Sequence, residues 1–143
     1  MNKTTYKTVP DQVEEQLLYE SIVSVMERLF LPDNMNSYAC CYDILGRIDI
    51  KGRKVSVDLK DLFSEKGISI DKRRLEMFLL CETDVYMRKK WDSYAASTGK
   101  PEEMTWDVVY GRIKDFISPL WSAMCEDGFY LSDWIGELGR YLD

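Results

Sequence analysis

The stretch Asp71–Ser97 reads DKRRLEMFLLCETDVYMRKKWDSYAAS. It contains neither Gly nor Pro, and Thr98-Gly99 follows as a stop signal. Leu75–Cys81 is apolar apart from Glu76, which predicts burial on all sides. Leu80, Met87, Trp91, Tyr94 and Ala95 share one face at helical spacing. About 27 helical residues would span roughly 40 Å, more than the radius of so small a protein. The other elements are therefore expected to pack along one long central helix.

Upstream, Pro10 and Asp11 suit a helix first turn, and residues 1–9 are expected to be disordered. Val13, Leu17, Ile22, Val25, Met26, Leu29 and Phe30 trace an apolar stripe to Leu31, and Pro32 ends this first helix. Tyr38–Leu45 reads equally as a buried strand or a short helix. In Arg47–Leu59, Ile48, Ile50, Val55, Val57 and Leu59 alternate with polar residues around Lys51-Gly52-Arg53, the pattern of a β-hairpin with one buried face. A short helix over Leu59–Lys66, closed by Gly67, leads to Asp71 as the N-cap of the long helix.

Downstream, Thr105 is placed to cap a helix whose face carries Trp106, Tyr110, Ile113, Ile117, Leu120, Trp121 and Met124. Pro119 predicts a kink there, or a new helix with Ser118 as its cap. Ser132 is read as the cap of a last short helix carrying Trp134, Ile135, Leu138 and Leu142. The expected class is mainly α (α+β), five or six helices around a long central helix with a small antiparallel β-hairpin. Residues 10–143 are expected to form a single globular domain.

The chain has 143 residues and no His. Histidine bases, histidine metal ligands and Ser-His-Asp or Cys-His catalysis are thereby excluded. The four cysteines lack a C-x-x-C pair and are expected to be free thiols, so neither a disulfide framework nor a zinc knuckle is implied. No apolar run approaches the roughly 18 residues of a membrane span. MNKTTYKTVPDQ lacks the apolar segment of a signal peptide, so a cytoplasmic location is expected. No phosphate loop, dinucleotide fingerprint or calcium loop occurs, and no cofactor is expected.

Charge is divided along the chain. The net is −4 over residues 1–46, +4 over 47–90 and −6 over 91–143. The carboxylates of the last third, with Glu102, Glu103, Asp107, Asp115, Glu126 and Asp127 as the candidate contact residues, could occupy a basic groove on a partner and imitate a phosphate backbone. The basic groups Lys72, Arg73, Arg74, Arg88, Lys89 and Lys90 are the candidate nucleic-acid contacts, the last three lying beside Trp91 and Tyr94. Lys72–Arg74 stand in a helix first turn, where the dipole disfavours positive charge.

Two motif resemblances accompany these residues. Leu59–Leu79 resembles a helix-turn-helix, with Phe63 and Gly67 four apart and Lys72–Arg74 opening the second helix. Arg73 falls where that motif needs a buried apolar residue. Pro32-Asp33 followed by Asp49-Ile50-Lys51 is similar to the PD-(D/E)xK pattern of metal-dependent nucleases, although Asp33 follows a helix rather than lying on a strand. By elimination the expected function is non-enzymatic. The chain reads as a protein-interaction module of inhibitor or immunity type, encoded by a phage or mobile element and acting against a nucleic-acid-handling protein with a basic surface. A DNA-binding regulator and a nuclease are the alternatives.

Overall fold

The computed structural model describes residues 12–29 and 32–142. The expectations for residues 1–9, for Pro10 and Asp11 as a helix first turn, and for Phe30 and Leu31 at the end of the first stripe, lie outside them. Among the described residues six helices follow in order. They are α1 (Gln12–Arg28), α2 (Met35–Leu45), α3 (Gly52–Glu65), α4 (Lys72–Leu80), α5 (Val85–Thr98) and α6 (Trp106–Cys125). Strands β1 (Asp133–Ile135) and β2 (Arg140–Leu142) pair antiparallel, with Trp134 opposite Tyr141. Short 3-10 turns cover Pro32–Asn34 and Cys81–Thr83. The class is mainly α with a small hairpin, as the sequence predicts, but several elements lie elsewhere.

The Asp71–Ser97 stretch is not one helix. After Leu80 the chain tightens into the 3-10 turn, and Asp84 restarts it by accepting the Met87 N–H at 2.9 Å. An internal N-cap does here what Gly or Pro does elsewhere. Leu79 and Leu80 consequently face solvent, which corrects the all-round burial expected for Leu75–Cys81. The central position belongs to α6, which buries nine side chains from Trp106 to Met124 against helices on several sides. It runs unbroken through Pro119. Loss of one helical hydrogen bond costs about 3 kcal/mol, which is small against so many buried large side chains at about 1.5–3 kcal/mol each. Ser118 caps nothing, and its hydroxyl has no hydrogen-bond partner among the described residues.

The hairpin expected over Arg47–Leu59 is instead a connection up to Lys51 followed by the start of α3 at Gly52. Val55, Leu59 and Phe63 recur at four-residue spacing and are fully buried, whereas Val57 is exposed. Alternation and helical period coincide at Val55 and Leu59, and only Val57 tells them apart. The α3 N-terminus is completed from far away, by the Asp133 carboxylate accepting the Gly52 N–H at 3.0 Å. A Cβ at Gly52 would lie 2.1 Å from the Ser132 carbonyl oxygen, so only glycine lets these backbones meet.

The last helix expected from Ser132 is the actual hairpin. Its Leu138 and Leu142 are exposed, and Gly139 takes a positive φ in the connection. Ile50 exchanges two backbone hydrogen bonds with Trp134, so the Ile48–Ile50 segment lies beside β1. Tyr38–Leu45, ambiguous in sequence, belongs to α2.

All four tryptophans are buried, and each donates its indole N–H to a carbonyl near the end of an element or in a connection. Trp91 reaches Met104, Trp106 reaches Cys81, Trp121 reaches Asp71 and Trp134 reaches Leu45, at 2.8 to 3.3 Å. Ring contacts join Tyr38 to Trp106, Phe63 to Trp121 and Phe116 to Trp134 into one core.

Candidate functional site

The two charged sets are partly spent on each other. Arg88 donates to Asp107 at 2.8 Å, and this guanidinium holds the Asp107 carboxyl below its ordinary range. Asp127 meets Lys60 at 3.3 Å, and Lys114 holds Glu82 through both carboxylate oxygens at 3.1 Å. Glu102, Glu103 and Asp107 are exposed at the start of α6, Asp115 is exposed midway, and Glu126 and Asp127 lie just beyond its end. The α6 axis is about 30 Å long. The structure therefore spreads the six carboxylates along the whole helix rather than gathering them into one patch.

Arg74 has a structural task. Its guanidinium donates to the Met26 carbonyl at 2.9 Å and to the Ser69 carbonyl at 3.2 Å. Met26 is in the last turn of α1, where carbonyls lack helical partners and the dipole is negative. The charge that looked misplaced at the start of α4 is thus well placed at the end of α1. Lys72, Arg73 and Lys89 stay exposed, while the Lys90 ammonium sits 5.4 Å from the Tyr86 ring centre. Among the described residues no hairpin precedes α3, so no wing accompanies the helix-turn-helix resemblance. The main packing partner of α3 among the helices is α6, whereas α4 packs on α6 and α1.

The nuclease-like residues are similarly occupied. Arg28 grips Asp33 at 2.6 and 2.8 Å, Asp49 accepts the Gly136 N–H at 3.1 Å, and Lys51 lies 4.0 Å from Asp133. Asp49 and Lys51 flank the Ile50 bridge to Trp134 and do not stand on a regular strand. Among the described residues no group of three or more Cys, Asp or Glu side chains could hold a metal ion.

An open groove of about 700 Å³ lies between α1 and α3. Val13, Leu17 and Leu62 supply apolar surface, with Val13 67% and Leu17 45% exposed. Glu15, Asp58, Asp61 and Glu65 line it with carboxylates, against the single cation Lys54 among the described residues. Lys54 is held at 3.0 Å from Glu15 and 2.9 Å from Asp58, which fixes the two walls relative to each other. Tyr19 donates its hydroxyl to Asp58 at 2.8 Å. Burial, reinforced by that carboxylate, pushes the Tyr19 phenol well above its usual range, so it remains a donor.

Sequence reading missed this groove because Val13 and Leu17 fit the apolar stripe of α1. The core stripe is Leu18, Ile22, Val25 and Met26, and Val13 and Leu17 fall to one side of it. Asp58, Asp61 and Glu65 at helical spacing were the available signal, but an expected strand over Arg47–Leu59 concealed them. No helix among the described residues is long and apolar enough to cross a membrane. No family model matches the chain, and neither curated proteins nor solved structures yield a match.

Proposed function

We propose that this chain is a protein-interaction module whose α1–α3 groove receives an apolar, positively charged segment of a partner protein. The observation that carries this reading is the groove's composition. Exposed Val13 and Leu17 offer apolar contact beside Leu62, and four carboxylates face one already committed ammonium. Such a surface suits an amphipathic basic helix, whose apolar side chains seat on the floor while its Lys and Arg reach the walls. Asp61 and Glu65, both exposed on the groove wall, supply long-range attraction that raises the association rate at low salt.

In its most specific form the partner is a nucleic-acid-handling protein. Basic segments that otherwise lie on phosphates complement spaced carboxylates, and a module seated on them blocks nucleic acid by occupation, the action of an inhibitor or immunity protein. The acidic overall charge of −6 supports that direction, and the internal use of Arg74 and Arg88 leaves less of the basic middle for DNA.

Peptide selection tests the reading before any partner has been identified. A random helical peptide library panned on the intact chain should yield sequences with apolar residues at i, i+3 or i+4, and i+7, flanked by Lys and Arg. Their binding should weaken in added salt and fall at least tenfold in Leu17→Glu and in the Asp61→Lys, Glu65→Lys double variant. Enrichment of acidic or uncharged peptides, or of binders indifferent to both variants, counts against it.

A further inference from the structure

The outward ridge of α3 carries Arg53, Val57 and Asp61 at four-residue intervals, and all three are exposed. Such a row forms a continuous ridge on a helix. Its charge is ordered, positive at the N-terminal end, apolar in the middle and negative at the C-terminal end. Arg53 and Asp61 are about 12 Å apart along the axis. Neither takes part in an ion pair among the described residues, whereas Lys54, next to Arg53, is already held by Glu15 and Asp58. The Arg53 guanidinium rests 4.9 Å from the centre of the half-exposed Phe129 ring, which keeps it extended over apolar surface.

We infer that this ridge is a self-complementary surface for a second copy of the chain, through antiparallel packing of α3 on α3 about a two-fold axis at Val57. A two-fold contact places residue i of one copy against residue j of the other, and j against i. With the axis at Val57, Arg53 of each copy faces Asp61 of the other, and the two valines meet at the centre. A parallel arrangement would set arginine against arginine and aspartate against aspartate, so charge selects the antiparallel one. The Phe129 ring beside Arg53 extends the apolar contact on one side. One helix face with one flanking ring is smaller than the roughly 800 Å² per partner of a standard interface, so the dimer is weak and forms only at high concentration.

This inference does not rest on the groove reading. Asp61 borders both surfaces, but Arg53 lies outside the groove, so Arg53→Asp should abolish the dimer and leave peptide binding in place. The test is sedimentation equilibrium of the full chain from micromolar to millimolar concentration, in low and high salt. The wild type should pass from monomer to dimer, with weaker association at high salt. Arg53→Asp and Asp61→Arg should each abolish association while helical circular dichroism is retained. An equimolar mixture of these two variants should dimerise again, because both cross-contacts are then of opposite charge, and the double variant should dimerise for the same reason. A wild type monomeric throughout, a dimer unaffected by either substitution, or variants whose mixture stays monomeric would overturn the inference.

Discussion

Asp133 accepts the backbone N–H of Gly52 at 3.0 Å, a hydrogen bond that joins the C-terminal hairpin to the first turn of α3. Lys51, the residue before that turn, makes no side-chain cap of its own. The cap is therefore supplied by a residue 81 positions away. Folding of α3 and docking of the hairpin are coupled through this bond and through the Ile50–Trp134 exchange beside it.

Asp133→Ala should lower stability by about 1 kcal/mol, the usual value of an N-cap. Asp133→Asn should recover most of it, because the amide oxygen also accepts. The Lys51 contact at 4.0 Å is exposed and adds little, so Lys51→Ala should be nearly neutral. Urea unfolding of the three variants checks the order. An Asn variant as unstable as the Ala variant would assign the effect to charge instead.

Arg74 and Arg73 stand side by side with opposite expected outcomes. Arg74→Ala removes two hydrogen bonds to carbonyls, one of them at the end of α1, and should cost about 1–2 kcal/mol. Arg73→Ala alters only an exposed side chain and should stay within about 0.5 kcal/mol. Thermal unfolding at matched salt measures both. Equal effects would remove the structural role given to Arg74.

The thiols report on the core. Cys41 and Cys81 are fully buried, and burial, with a smaller contribution from Asp84, pushes the Cys81 thiol from 9.0 up to about 12. Burial also raises Cys41. A thiol whose folded pKa lies above its unfolded one supports the fold fully below the unfolded value and loses that support as pH rises through the folded value. Stability should accordingly decline above about pH 9. A thiol reagent at pH 8 should modify half-buried Cys40 and Cys125 within minutes, and Cys41 and Cys81 only on unfolding. Four equally fast thiols would contradict the full burial of Cys41 and Cys81.

Legibility in the sequence followed the range of the forces involved. The stripe over Trp106–Met124 and the caps Asp71 and Thr105 depend on neighbours within a few residues, and the structure bears them out. The α3 start depends on Asp133, and β1 depends on Ile50, so local pattern placed the hairpin at the wrong end of that pairing. The break at Cys81–Asp84 was readable in Asp84 just before the Met87–Trp91 pattern, but the absence of Gly and Pro masked it. The charged residues were visible from the start. Their partners were not, because Arg88–Asp107 and Lys54–Glu15 join residues distant in sequence.

Binding of a basic apolar segment between α1 and α3 can be read residue by residue in an amide chemical-shift titration of the labelled chain with a basic amphipathic peptide taken from the selection. Shifts should concentrate in Val13–Tyr19 and Lys54–Glu65, and affinity should fall as salt rises above 0.1 M and the screening length drops below roughly 10 Å. Shifts centred on Lys72–Arg74 and Arg88–Lys90, or on Glu102–Asp107, with the α1–α3 amides unmoved, would contradict it.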